Sequence, residues 1–159
     1  MFSFLKKKSE PVTELKAYIS GEAIKIEDVK DGVFSEKILG DGMAIIPSDE
    51  VVTAPCAAEV CSVADTKHAV GLQLENGLQL LIHIGLDTVS MNGAGFQVFV
   101  KEGQKVKAGE KLVSFDKKMI KEAGFPDTVI FVVLENSAEL PLNFQYGMVQ
   151  KNESVIMKL

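Results

Sequence analysis

The chain has 159 residues, of which 47% are hydrophobic, enough for one domain with a sizeable core. Its 17 lysine and arginine residues against 22 acidic residues give a net charge of -5. This balance argues against nucleic-acid binding, because the phosphate backbone requires a basic surface. The N-terminus lacks a signal-peptide core, and no apolar run reaches the roughly 20 residues of a transmembrane helix. We therefore expect a cytoplasmic protein, with Cys56 and Cys61 as free thiols.

The first residues are predicted to lie outside the folded body. Residues 1–18 are expected to form a flexible N-terminal tail, and residues 19–159 a single domain. Phe2, Phe4 and Leu5 precede three lysines, a combination that could give weak contact with an anionic membrane surface. A frayed terminus explains the same residues, and one short segment is too little to anchor a protein stably.

Short β runs separated by turn residues follow from Ile19 onward. One helix is predicted from Asp116 to Ala123, with Gly124 as its stop, and a further helical turn is expected from Asp87 to Met91. Strands do not alternate with long helices, which argues against a parallel α/β sheet. The predicted fold is all-β, an antiparallel β-sandwich or partly closed barrel with one or two short helices. The clearest predicted strands lie at residues 22–26, 43–46, 59–63 and 111–115.

The segment from Val100 to Glu110 indicates two tight turns. Gly103 and Gly109 stand where such turns require positive φ, and Val106 between them is a predicted core residue. A similar run occurs in biotinyl and lipoyl carrier domains, which makes a swinging-arm carrier the main alternative. Those domains carry an exposed lysine at the tip of a hairpin, and the corresponding tip here, Glu75-Asn76-Gly77, has none.

The two histidines, His68 and His83, flank a hairpin signal. Asn76-Gly77 between two apolar runs predicts a hairpin, and a two-residue loop pairs Val70 with His83 and His68 with Gly85. The histidines then become diagonal neighbours, with Cα atoms roughly 7–8 Å apart. A four-residue loop keeps this arrangement, whereas a three-residue loop puts the histidines on opposite faces. The residues predicted to share one face are Thr66, His68, Val70, Leu81 and His83.

A pair of neutral imidazoles suits metal binding, acid–base chemistry or phosphoryl carriage. A zinc hydrolase is disfavoured, because zinc usually takes three or four protein ligands and no carboxylate is predicted on the same face. A weak zinc site formed by His68 and His83 and completed by a partner stays open.

The most specific motif of the chain is His83-Ile84-Gly85-Leu86-Asp87-Thr88-Val89. It is similar to the signature H-[FIL]-G-[IL]-D-T-V of the glucose-family IIA proteins of the bacterial phosphoenolpyruvate-dependent sugar phosphotransferase system. Several further motifs, taken in order, resemble the same family. Upstream, the resemblance includes residues 32–42, Ala54-Pro55 and the Thr66-x-His68-Ala69 motif. Downstream, it includes Gly93-x-Gly95-Phe96 and Glu102-Gly103-x-x-Val106, so that it spans about residues 20 to 159.

The resemblance implies a phosphotransferase component that works only with partner proteins and forms a phosphohistidine intermediate. His83 would accept a phosphoryl group from the phosphocarrier protein HPr and pass it to a cysteine of a sugar-specific IIB domain. His68 would stabilise the phosphoryl group, and Thr66 would orient His68. No cofactor is implied. The implied docking rim comprises the apolar residues Phe34, Leu39, Val70, Leu81 and Leu86, with Asp31 and Asp87 as acidic contacts for arginines of HPr or IIB.

Overall fold

The computed structural model describes residues 11–134 and 142–159. Within these ranges the chain forms strands and three short helices, which confirms the all-β prediction. In chain order the elements are β1 (Glu14–Lys16), β2 (Gly21–Lys25), a first 3-10 helix (Ile26–Val29), β3 (Gly40–Pro47), β4 (Val51–Thr53), β5 (Ala58–Val63), β6 (Ala69–Gln73), β7 (Gln79–Ile84), a second 3-10 helix (Thr88–Met91), β8 (Phe96–Val98), β9 (Lys105–Val106), β10 (Lys111–Phe115), α1 (Lys117–Glu122), β11 (Val129–Leu134), β12 (Asn143–Phe144), β13 (Gly147–Val149) and β14 (Val155–Lys158).

The strands form one large and two small antiparallel sheets. The large sheet has eight strands in the order β13-β2-β3-β11-β7-β6-β5-β9, and the small sheets have the orders β4-β10-β8 and β1-β14-β12. Alternate residues of the large sheet, among them Ile82, Phe131 and Ile45, face a core to which all three sheets contribute. This arrangement is the predicted antiparallel sandwich.

A second apolar cluster lies on the opposite, outer face of the large sheet. Ala44 of β3 and Ile130 and Val132 of β11 pack there against Ile26 and Phe34, which belong to the segment between β2 and β3. Leu81 and Leu86 pack at its edge. We call this group the outer cluster. It matters for function because His83 lies beside it.

The helical predictions are confirmed. The Asp116 side chain accepts a hydrogen bond from the Met119 amide and caps α1, and Gly124 follows the helix with φ 87°. The second 3-10 helix lies within the segment where a helical turn was expected. No helix in the described part of the chain is long and apolar enough to cross a membrane.

The predicted tail boundary at residue 18 is wrong. Strand β1 pairs with β14 near the other end of the chain, and Leu15, Tyr18 and Ile19 are fully buried. The Tyr18 hydroxyl donates to the Val129 carbonyl of the large sheet at 2.8 Å. Residues from about 12 onward therefore belong to the folded domain. Phe2, Phe4, Leu5 and the lysines considered for membrane contact lie outside the described residues.

Candidate functional site

His83 lies near the end of β7, on the outer face of the large sheet. It is paired with Ala69 of β6 on one side and with Ile130 of β11 on the other. Its neighbours in β7, Ile82 and Ile84, point into the main core and are at most 2% exposed. The alternation of buried residues in this strand therefore fixes the imidazole on the outer face, next to the outer cluster.

The β6–β7 hairpin has a three-residue loop, Glu75-Asn76-Gly77, so the predicted two-residue register is wrong. Leu74 donates to the Leu78 carbonyl at 2.8 Å, and the Asn76 side chain accepts from the Leu78 amide. Gly77 has φ 93°, the left-handed residue that a three-residue hairpin loop requires. Every pair shifts by one residue, so that His83 faces Ala69 instead of Val70.

His68 nevertheless meets His83. The two ring centroids are 4.7 Å apart, and the rings are nearly perpendicular at 84°. His68 lies one residue before the start of β6, and Lys67 preceding it has φ 64°. Since the chain enters the strand through this left-handed residue, strand alternation does not determine where the His68 side chain points. The two imidazoles converge as predicted, although the register used to predict it is wrong.

The Nδ1 atom of His83 is 2.9 Å from the carbonyl oxygen of Gly85. A carbonyl only accepts hydrogen bonds, so Nδ1 carries the proton and Nε2 keeps its lone pair. Gly85 turns its carbonyl toward the ring with φ 76°, and a Cβ at this position would collide with the Thr88 side chain. Thr88 is fully buried and donates its hydroxyl proton to the Ile84 carbonyl. This turn fixes a tautomer of His83 that is suited to nucleophilic attack through Nε2.

The Nδ1 atom of His68 is 2.8 Å from the Thr66 hydroxyl oxygen. A hydroxyl can donate or accept, so Thr66 can support either neutral tautomer of His68. When Thr66 donates to Nδ1, the Nε2 atom carries the proton and becomes a donor. His68 is only 7% exposed, and burial lowers its pKa, opposed by a hydrogen bond from the imidazole to the backbone of Thr66.

The surroundings of His83 strongly favour its neutral form. Burial lowers its pKa to about 4, and the nearby His68 contributes in the same direction. The Gly85 carbonyl and the charges of Asp31 and Asp87 oppose this shift without reversing it. Phe34 is part of the cause of burial, because its ring packs on the imidazole with centroids 4.9 Å apart and a tilt of 55°.

We expect His83 to remain neutral as the pH falls from 8 to about 5 and to take up a proton only near pH 4. The unfolded chain, with an ordinary histidine, binds that proton at about pH 6.5, so stability should decline between pH 6.5 and 4. An NMR titration of the imidazole protons tests this directly, with a His68→Gln variant to assign the two signals. A His83 pKa near 6.5 would contradict the buried arrangement.

The predicted rim residues have different environments. Leu39 is 42% exposed, and Leu81 and Leu86 are partly buried at the edge of the outer cluster. Phe34 is only 9% exposed. Its side chain therefore offers little surface to a partner and mainly contacts His83. Placing Val70 on the rim is wrong, because Val70 is 2% exposed and packs in the main core. The shifted hairpin register explains this error.

The two acidic residues also differ. Asp87 is exposed, has φ 63° and makes no side-chain capping bond to the second 3-10 helix that follows it. The Asp31 carboxylate instead accepts hydrogen bonds from three backbone amides of its own turn. Its availability to a partner's arginine is correspondingly smaller than that of Asp87.

Metal binding would depend on the two histidines. Among the residues that the structure describes, no group of three or more His, Cys, Asp or Glu side chains could hold a metal ion. His68 and His83 supply two nitrogen ligands, and a zinc ion would need at least one more from elsewhere. Cys56 and Cys61 are free thiols, as predicted, and burial raises the Cys56 pKa to about 12, which makes its thiol unreactive.

Sequence reasoning missed three neighbours of the histidines: the Gly85 carbonyl, the direct packing of Phe34 and the left-handed Lys67. The glycine two residues after His83 was a usable signal, since glycine allows the turn that brings a carbonyl back to the ring. The contact of Phe34 with His83 joins distant parts of the chain and left no local signal.

The chain matches a known protein family over most of its length. The family model described as phosphoenolpyruvate-dependent sugar phosphotransferase system, EIIA 1, matches residues 13–139. The chain belongs to this family. It is therefore a phosphoryl-carrying component of that transport system, as the sequence motifs had indicated.

Three similar proteins illustrate the match. The chain is 49% identical over 124 residues to the PTS system glucose-specific EIIA component of Halalkalibacterium halodurans, covering 78% of this chain and 71% of that protein. It is 46% identical over 121 residues to the PTS system glucosamine-specific EIICBA component of Bacillus subtilis, covering 76% of this chain and 19% of that protein. Among solved structures, glucose permease IIA from Mycoplasma capricolum is similar with a TM-score of 0.80 and 36% identity, covering 99% and 98% of the two chains.

Proposed function

We propose that this family member carries a phosphoryl group on Nε2 of His83, received from HPr and passed to a cysteine of a IIB domain. The observation that carries the proposal is the His83 environment: Nδ1 is bonded to the Gly85 carbonyl, and the His68 ring centroid lies 4.7 Å from that of His83. An imidazole with one nitrogen committed to a carbonyl presents the other as a nucleophile at neutral pH.

The first transfer requires little covalent chemistry from the protein. The Nε2 lone pair of His83 attacks the phosphorus of the donor's phosphohistidine, the new N–P bond forms, and the donor's N–P bond breaks in line with it. His83 retains its Nδ1 proton throughout, because the Nδ1–H group donates a hydrogen bond to the Gly85 carbonyl. In the second transfer, the acceptor thiolate of IIB attacks the same phosphorus, and Nε2 of His83 is the leaving group.

His68 is the proposed donor to the phosphoryl oxygens. If the Thr66 hydroxyl donates to Nδ1 of His68, then Nε2 of His68 carries a proton that can be donated to an oxygen of the phosphoryl group. A donor held in a site with little water stabilises the charge of the transition state more than it would in solution. Thr66 therefore acts on the reaction through the orientation and tautomer of His68.

Leu81 and Leu86, which are partly buried at the edge of the outer cluster, provide an apolar surface near His83. Such a surface excludes water from the labile N–P bond and offers partners an apolar contact. The exposed Asp87 adds negative charge at its border, which suits partners that carry arginines. No metal takes part in the proposed cycle, and a zinc ion on the two histidines would require a ligand from a partner.

The identity of the transported sugar is the second part of the proposal. The names of the similar proteins include glucose and glucosamine, and the Bacillus subtilis relative unites C, B and A components in one chain. We infer a role in the uptake of glucose or a related sugar, with a IIB domain as acceptor. Phosphorylated protein should transfer to a glucose-type IIB domain faster than to one for an unrelated sugar.

Incubation with phosphoenolpyruvate, the general phosphotransferase enzyme and HPr tests the carrier function. We expect the intact mass to increase by one phosphoryl group, and the modification to be lost after addition of a IIB domain. Omission of HPr is the control and should leave the mass unchanged. A protein whose mass stays constant in the complete mixture, while a known IIA protein is modified, would disprove the proposal.

A further inference from the structure

The turn from Asp31 to Ser35 is built around one carboxylate. The Asp31 oxygens accept hydrogen bonds from the amides of Val33 at 3.3 Å, Phe34 at 3.0 Å and Ser35 at 2.9 Å. The Gly32 amide donates to the Ser35 hydroxyl at 3.2 Å and closes the same turn. Burial opposes the ionisation of Asp31, but these hydrogen bonds outweigh it and lower the pKa of the carboxyl group. The turn therefore depends on an ionised Asp31.

This turn places Phe34 against the nucleophile. Phe34 is the residue whose amide is bonded to Oδ2 of Asp31, and its ring lies 4.9 Å from the His83 ring. Phe34 also belongs to the outer cluster, together with Ile130 and Val132 of the large sheet. Asp31 is thus connected to His83 through two direct contacts, both made by Phe34.

We propose that Asp31 is a positioning residue for His83, because its carboxylate holds the turn that packs Phe34 on the imidazole. Through Phe34 it keeps the ring oriented and shielded from water. This role differs from that of an arginine contact for a partner, which the family resemblance implied. Its consequence for phosphoryl transfer rests on the proposed function, whereas the structural part does not.

The two roles predict opposite changes in the His83 pKa. Asp31 and Asp87 both raise this pKa through their charge, while burial, the largest cause, lowers it. If Asp31 acts only as a charge, its removal lowers the pKa further. If it holds Phe34 in place, its removal lets water reach the imidazole, and the pKa rises despite the lost charge. Asp87→Asn provides the matched control, since Asp87 makes no such turn and asparagine tolerates its positive φ.

NMR titration of the histidines in the complete protein is the decisive experiment. We expect Asp31→Ala to raise the His83 pKa by about one unit, part of the several-unit range that burial controls. Phe34→Ala should raise it as well, and adding Asp31→Ala to that variant should cause no further rise. Asp87→Asn should lower it. A fall or no change in Asp31→Ala would overturn the proposal.

Two variants of equal charge separate the loss of the Asp31 charge from the loss of its hydrogen bonds. Asp31→Ser and Asp31→Ala both lack the charge, but only serine retains an acceptor for the backbone amides. The His83 pKa should therefore be lower in the serine variant than in the alanine variant, and equal values would contradict the positioning role. Hydrogen exchange at the Phe34 and Ser35 amides should accelerate in Asp31→Ala and stay unchanged in Asp49→Asn. Asp49 bonds the amides of a comparable turn elsewhere, so this control shows that the effect is local.

Transfer kinetics connect the turn to the reaction. Misplacement of the nucleophile in Asp31→Ala should slow phosphorylation by HPr roughly 10-fold to 100-fold. This deficit should persist at high salt, whereas loss of an arginine contact would become smaller as salt screens it. Expected pKa changes in a protein that HPr never phosphorylates would disprove the proposed function and leave the Asp31 role intact.

Discussion

Replacement of His83 by alanine is expected to abolish phosphorylation by HPr. The Nε2 atom of His83 is the proposed acceptor, and its neighbour His68 is buried with Nδ1 held at the Thr66 hydroxyl. Removal of a catalytic nucleophile reduces rates by roughly 10⁶-fold, which places the variant below detection in an intact-mass assay. The variant should remain folded, because the loss of the Nδ1 bond to Gly85 costs only about 1 kcal/mol.

Two measurements make this result interpretable. Thermal unfolding of His83→Ala should show one cooperative transition close to that of the wild type, which excludes misfolding as the cause. Phosphopeptide mapping of the wild-type protein should find the modification on the peptide that contains His83 and not on the peptide that contains His68. Phosphate on His68, or a His83→Ala protein that still transfers, would reverse the assigned roles.

The all-β fold could be predicted because its signals are local. Short β runs, glycines at turns and the Asp116 cap depend only on neighbouring residues, and the structure has these elements close to the expected positions. Gly103 and Gly109 both have φ 89°, as the turn prediction required. The pairing of β1 with β14 joins the two ends of the described chain. It left no local signal, and residues 12–18 were therefore wrongly assigned to a tail.

The hairpin register could have been predicted correctly from the apolar pattern. In the observed register Leu74 faces Leu78, Leu72 faces Leu80 and Val70 faces Ile82, so that buried residues oppose buried residues. A two-residue loop would have paired Leu74 with Gln79. The Asn-Gly dipeptide was given more weight, although a glycine also occupies the last position of a three-residue loop.

The convergence of the histidines has a cause that the sequence pattern did not reveal. Strand alternation alone would separate them in the observed register. The left-handed Lys67 releases His68 from that alternation, and lysine is not a residue in which positive φ is expected. Turns at the ends of strands thus decide the site, and sequence periodicity describes only the strands between them.

Replacement of His68 by glutamine is expected to separate the two transfers. Glutamine keeps an N–H donor near the phosphoryl oxygens, but it lacks the rigid ring that packs on His83 at 4.7 Å and the Nδ1 atom that Thr66 holds. Acceptance from HPr should survive, because the nucleophile and its bond to Gly85 are intact. Passage to the IIB cysteine should slow by about 10²–10³, because the glutamine donor is no longer held in place and a misplaced donor in a site with little water costs about as much as a missing one.

Thr66→Val provides the matched control for this interpretation. Valine has nearly the shape of threonine but lacks the hydroxyl, so it should leave the His68 ring in place and remove only the bond that sets its tautomer. We expect the same selective slowing of the second transfer with a smaller magnitude, of roughly tenfold. Stopped-flow measurement of both transfers in the two variants tests the order of effects. Equal slowing of acceptance and passage in His68→Gln would mean that His68 supports the nucleophile itself, and an unchanged Thr66→Val would remove Thr66 from the mechanism.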